Sequence, residues 1–272
     1  MNLEVISRTP KGAAKPTPLL FVHGAFASAW VWDLHFLPWF AERGYATHAL
    51  SLRGHGASEG RDRLQFTRLR DYITDVEWVM ADLPAPPVLI GHSLGGMVVQ
   101  KILHRQAVPG AVLMGSAPPH GMIGSFCGIA FGNPELFREL MIAQAMGPAA
   151  SGTHELRKAL FSDDADDTVV RGTLPKLGPE SPLVAFDLFG LDLPPSTPML
   201  DLPVLVIGAE HDAFVFEGAV KATADTYRAE MEMFPGMAHA MMLERDWEAV
   251  AERMLDWLGR KVPDTATRET VA

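Results

Sequence analysis

The chain has 272 residues, 48% of them apolar, with 23 Lys or Arg against 33 Asp or Glu and a formal net charge of −10. That length suits one large core carrying an insertion rather than two equal halves, and the lack of any cationic block excludes a nucleic-acid or anionic-membrane surface. A single cysteine, Cys127, leaves no internal disulfide and no cysteine-based zinc site; it is expected to act as a small hydrophobe, buried or partly buried.

The opening stretch "MNLEVISRTPKGAAKPTP" has no apolar core between a basic start and a small-residue cleavage site. It reads as the start of a cytoplasmic protein, and no apolar run approaches the roughly 20 residues that a membrane-spanning helix needs. Strand-forming apolar runs then recur at Pro18–Val22, Pro86–Gly91, Gly110–Gly115 and Pro203–Gly208, with weaker candidates at Tyr45–Leu50 and Ala229–Phe234. Runs that are apolar on both faces belong to strands covered on both sides. Between them, Leu69, Tyr72, Ile73, Val76, Val79 and Met80 line one face of a helix, as do Trp247, Val250, Met254, Leu255 and Leu258 near the end. Strands alternating with helices predict an α/β fold, a mostly parallel central sheet with helices on both faces.

The alternation breaks between Pro118 and Pro198. "NPELFRELMIAQAM" and "THELRKALF" are helix-like, and no buried strand is evident. The expected division is therefore a core from residues 1–117 and 199–262, a helical cap insertion over 118–198, and a frayed polar tail over 263–272. The acidic "SDDADD" lacks the glycine and distal glutamate of a calcium loop and is read as a solvated turn or helix start.

"VLIGHSLGGMVVQ" puts Ser93 between glycines where a strand run meets a helix run. A serine hydroxyl is a poor nucleophile until it is exposed and given a base. A strand turning at once into a helix exposes it, Gly91 and Gly95 let the two elements approach, and the N–H of Leu94 is aimed at a developing oxyanion. An N-cap serine is the alternative, although it leaves the flanking glycines unexplained. A second oxyanion donor is expected from Ala25, after the strand ending at Val22 and the bend at Gly24. His23 and His92 read as structural neighbours of these turns. The base and its orienting acid should lie at the carboxyl ends of later strands. "GAEHDAF" offers Asp212 as the acid, with Glu210 as the alternative, and "GMAHAMMLE" offers His239 as the base.

Together, "FVHGAFASAWVW", "SLRGHGASEG", "GHSLGGM", "GAEHDAFV" and "GMAHAMMLE" resemble the α/β-hydrolase superfamily over nearly the whole chain. "HGAFASAWVW" with "GHSLGGM" is similar to small esterases related to plant methylesterases and hydroxynitrile lyases. The lyases carry a lysine directly after the catalytic histidine and a threonine at the position of Gly24. Here Ala240 follows His239, which favours hydrolysis. Haloalkane dehalogenases and epoxide hydrolases carry an aspartate where Ser93 stands, so the resemblance points away from both. It implies an esterase acting on a small to medium apolar ester, with no metal or organic cofactor and a small-molecule substrate as its partner. Other reactions of the same triad, hydrolysis of C–C bonds, thioesters or lactones, or perhydrolysis, stay open, as does a ligand-binding protein that does not use the triad. Methionines adapt to flexible chains. Met122, Phe126, Met141, Met237 and Met241 are accordingly the candidates for substrate contact among apolar residues that also include Ile123, Phe131, Ile142, Met146 and Met242, most of which read as packing the insertion against the core. Arg53 and His55 are expected to tie loops together. Composition does not fix an oligomeric state.

Overall fold

The computed structural model describes residues 1–195 and 201–262. Its strands are β1 (Val5–Arg8), β2 (Leu19–Val22), β3 (Thr47–Leu50), β4 (Val88–His92), β5 (Ala111–Met114), β6 (Val204–Ala209) and β7 (Glu230–Phe234), in the spatial order β1-β3-β2-β4-β5-β6-β7. The four strong apolar runs are thus neighbours in the middle of the sheet, and the weaker candidates flank them. Every pairing is parallel except that of β1 with β3. β1 was not legible in the sequence. It is a mostly exposed edge strand and so carries no apolar face to read.

Side chains alternate across the sheet because successive strand residues point to opposite faces. Leu19, Phe21, Ile90, Val112 and Ile207 face one core, which is covered by α1 (Trp30–Asp33), α2 (Phe36–Glu42) and the carboxyl-terminal helix. Leu20, Val22, Leu89, Leu113 and Val206 face the other, covered by α3 (Leu69–Asp82) and α4 (Leu94–Leu103). Both faces are buried, at about 1.5–3 kcal/mol for each large side chain removed from water. The periodic face of α3 is inward as its spacing predicts. α1 and α2 escaped notice because "AWVWDLHFLPWF" is apolar nearly all round and gives no stripe to recognise.

The segment between β5 and β6 is helical: α5 (Ile123–Gly132), α6 (Pro134–Met146), α7 (Thr153–Leu160), α8 (Asp167–Thr173) and α9 (Pro182–Phe186). Asn133 caps α6 by accepting the Leu136 N–H. In the acidic hexapeptide Asp166 caps α8 by accepting the Thr168 and Val169 N–H groups, so this stretch starts a helix. Beyond α9 the chain is anchored to the core helices by two ion pairs, Arg68–Asp187 and Lys101–Asp192, and Asp187 also accepts the Leu69 N–H. α10 (Glu217–Tyr227) and α11 (Trp247–Lys261) complete the cores. The expected boundary at 198/199 and the tail over 263–272 lie outside the described residues.

Cys127 corrects an expectation: it is exposed. α5 turns Ser125 and Ile129, one helical turn apart, inward. Cys127 lies midway between them and so points away from the packed face. Among the described residues, no helix is long and apolar enough to cross a membrane.

Candidate active site

The sheet register gathers the motifs at one edge. Val22 pairs with Gly91, His92 with Met114, Met114 with Ile207 and Ala209 with Phe234, so the residues that follow these strands emerge side by side. This is where open α/β sheets assemble sites. Ser93 sits at the β4–α4 turn with φ 53° and ψ −117°, a left-handed backbone that a non-glycine residue adopts only under constraint. Its N–H donates to Met114 O and its own carbonyl accepts the Ala117 N–H, which pins the turn to the exit of β5. The side chain makes no capping hydrogen bond, which removes the N-cap explanation.

The two glycines act in different places. A Cβ on Gly91 would lie 2.5 Å from Gly95 O, so Gly91 permits the close approach of strand and helix. One on Gly95 would lie 2.4 Å from Val22 O and 2.5 Å from His23 O, so Gly95 brings α4 against the end of β2 instead.

Asp212 and His239 meet. His239 Nδ1 lies 2.7 Å from Asp212 Oδ2, and both residues are buried. The other Asp212 oxygen accepts the Phe214 and Val215 N–H groups at 2.8 and 2.9 Å, which fixes the carboxylate and assigns the Nδ1 proton to the bond with Oδ2. Glu210 goes elsewhere: it is exposed and accepts the Gly236 N–H. The Asp212–His239 pair lies over Gly115, where a Cβ would be 3.4 Å from Asp212 Oδ2 and 3.5 Å from His239 Nδ1. Gly115 directly follows the Met114 carbonyl that holds Ser93, so serine and pair share one corner of the sheet. His92 lies beside the candidate base, its ring centroid 4.6 Å from that of His239. Its Nε2–H donates to His239 O at 2.9 Å, and burial followed by the neighbouring His239 holds its pKa well below the usual histidine range.

The loop after β2 faces Ser93. A Cβ on Gly24 would come within 3.0 Å of Ser93 Cβ and 2.9 Å of His92 Nδ1. His23 Nδ1 donates to Gly24 O at 2.8 Å, while Nε2 accepts the Leu52 N–H at 3.0 Å. Because the Gly24 carbonyl and the Ala25 N–H belong to one rigid peptide plane, gripping the carbonyl from one side aims the N–H out of the other. Phe26 follows at φ 63°. Among the described residues, neither the Ala25 nor the Leu94 N–H has a protein acceptor, and no group of three or more His, Cys, Asp or Glu is placed to hold a metal ion.

A sequence model described as the alpha/beta hydrolase family matches residues 19–253. The chain belongs to that family. It is a hydrolase of the α/β fold, and several relatives share it over most of their length. A monoacylglycerol lipase of Mycolicibacterium smegmatis is 24% identical over 242 residues, covering 82% of this chain and 81% of the lipase. Epoxide hydrolase 3 of Xenopus tropicalis is 25% identical over 257 residues, covering 86% and 70%. Among solved structures, a thermophilic esterase from Thermogutta terrifontis superposes with a TM-score of 0.71 at 19% identity, covering 96% of this chain and 94% of that one, a likeness of fold.

Around the hydrolase corner the expected apolar contacts separate. Met237 and Met241 are buried in the first core beside α11 and pack the histidine loop from below. Met141, Met146 and Phe131 are exposed, the last two at 75% and 89%, because α5 and α6 turn only a few positions inward. Met122 is half-buried against the second core, and Phe126 packs between Phe137, edge-on, and Phe189, tilted.

Sequence reasoning missed three participants. Phe214 packs edge-on against His239 with ring centroids 4.8 Å apart. Buried Glu244 accepts the Ala238 N–H beside His239 and both the N–H and Oγ–H of Ser162 from the helical segment. Buried Glu180 meets His55 and Tyr72. "GMAHAMMLE" already contains Glu244, but a glutamate near a helix start reads as solvated until burial is known. Arg53 ties its loop to α3 rather than to another loop, through Asp75, at 2.6 Å between Nη2 and Oδ1.

Burial, then the nearby His55, lowers the pKa of His23 to about 3. Between that value and the unfolded value near 6.5 the unfolded chain binds the extra proton, so His23 adds stability that falls as pH drops through this window, by up to about 1.4 kcal/mol per pH unit. His23→Asn is expected to reduce proton uptake on unfolding at pH 5 by about one, measured from the pH dependence of urea midpoints; an unchanged slope would refute the neutral, buried assignment.

Proposed function

We propose that the chain is a serine hydrolase that cleaves a carboxylic ester of a small to medium apolar substrate. The observation that carries this reading is a serine held in a left-handed turn with no structural hydrogen bond for its side chain, at the same corner as a buried Asp212–His239 pair. In this reading Asp212 keeps the proton on His239 Nδ1, leaving Nε2 as the base. Nε2 takes the Ser93 proton as Oγ attacks the ester carbonyl, and the Ala25 and Leu94 N–H groups receive the oxyanion. The imidazolium then protonates the departing alcohol, and water repeats the attack on the acyl-enzyme. Each oxyanion donor is worth roughly 3 kcal/mol of barrier. The names of the relatives add support for ester chemistry. Epoxide opening by this fold would call for an aspartate at the serine position, and Ala240 supplies no cation for a cyanide leaving group.

The helical segment would act as a cap forming the acyl wall, with Met122 and Phe126 its substrate-facing candidates. A p-nitrophenyl ester series from acetate to decanoate is expected to show turnover with a chain-length optimum, and an organophosphonate is expected to add to Ser93, read by peptide mass. A chain inert to every ester yet labelled would retain the triad and lose the ester assignment; one neither active nor labelled would end the serine hydrolase reading.

A further inference from the structure

Resting on the serine hydrolase reading, we infer that Glu180 is a positioning residue for the oxyanion hole, delivered from the helical segment between β5 and β6 to the loop that carries Ala25. Glu180 is buried, and hydrogen bonds reach only one of its carboxylate oxygens, leaving the other to an ion-pair contact. Oε1 accepts the Tyr72 hydroxyl and the Ser181 N–H, both at 2.6 Å, and Oε2 lies 3.2 Å from His55 Nε2. His55 Nδ1 faces Arg53 O at 3.1 Å and must be a donor there. With a carbonyl at one nitrogen and a carboxylate at the other, the ring is held as an imidazolium.

That cation lies tilted against the ring of His23, with centroids 5.2 Å apart, and His23 is the residue whose Nδ1–H grips the Gly24–Ala25 peptide. His23 must stay neutral to keep accepting the Leu52 N–H, and the cationic His55 that Glu180 maintains opposes its protonation. A second, backbone route runs in parallel. Two residues before Glu180, the Gly178 N–H donates to Phe26 O at 2.8 Å. Phe26 is the left-handed residue directly after Ala25, and a non-glycine residue in that region persists only when its surroundings hold it. Ser181 Oγ–H donates to Thr67 O and Gln144 Nε2–H to Glu180 O, so the anchor itself is fixed from both core and insertion. The ester carbonyl would therefore meet a donor whose direction is set from outside the β2 loop.

Two variants separate the routes. Glu180→Ala removes the carboxylate. Gly178→Pro deletes one N–H and leaves the ion pair intact; Leu177 before it is already extended, which suits a following proline. Steady-state kinetics on the best p-nitrophenyl ester would be paired with inhibition by a matched trifluoromethyl ketone, whose adduct carries the oxyanion. Losing a whole donor costs 10²–10³ in kcat, and a misaligned donor is expected to cost about 10- to 50-fold, with KM within about twofold and ketone affinity weakened by the same factor as kcat. Folded variants, checked by circular dichroism, with kcat and ketone affinity within twofold of the parent would overturn the inference while leaving the hydrolase reading intact. Should Glu180→Ala fail to fold, Glu180→Gln, which keeps the volume and one acceptor oxygen but removes the charge, decides the carboxylate route by the same criteria, and Gly178→Pro reports on the backbone route. A parent chain that neither turns over esters nor labels at Ser93 would instead remove the hydrolase reading and this inference with it.

Discussion

Ser93→Ala is expected to lower kcat on p-nitrophenyl esters by about 10⁵- to 10⁶-fold, because the nucleophile and its base work as a unit and losing either abolishes the covalent route. Residual turnover would come from the Ala25 and Leu94 donors acting on water. The same position makes a second, opposite measurement possible. At φ 53° and ψ −117° alanine keeps the steric strain of the serine, whereas glycine relieves it. Ser93→Gly should thus be equally inactive and about 1–2 kcal/mol more stable than Ser93→Ala, less the extra entropy that glycine loses on folding. Equal thermal midpoints for the two variants would mean that the turn is not strained, and activity surviving in either would mean that another group attacks.

Asp212→Asn should cost roughly 10⁴-fold in kcat with little change in KM. The reason lies in how the carboxylate is held. Phe214 and Val215 N–H groups occupy Oδ1, so an asparagine would leave its carbonyl there and turn its amide toward His239. An N–H facing Nδ1 forces the imidazole proton to Nε2, where it can no longer accept the serine proton. Glu210→Gln is the matched control. That side chain caps the Gly236 loop at the surface, and its loss should leave kcat within about twofold. The reverse pattern, with Glu210→Gln inactive and Asp212→Asn active, would transfer the acid role.

The sequence alone determined the strands of the sheet other than the edge strand β1, and the chain order of the candidate residues. Strands buried on both faces must be apolar at every position, and a serine between close-approach glycines leaves a local pattern. The spacing of Leu69, Tyr72, Ile73 and Val76 was equally local, and those residues are the inner face of α3.

What only the tertiary structure decided depends on contacts between distant residues. Asp212 and Glu210 are two positions apart with the same chemistry; the choice follows from Phe214 and Val215 turning their N–H groups to one carboxylate while Gly236 takes the other. Methionines 237 and 241 read equally as substrate lining or as packing from the sequence, and the fold buries both in the core, since a flexible apolar side chain suits either place and burial is a property of the fold. Glu180 and Glu244 carry no sequence signal because buried and solvated carboxylates are the same letter. Their partners, His55 and Ser162, lie 125 and 82 residues away in the chain, and only folding brings a charge and its compensation together.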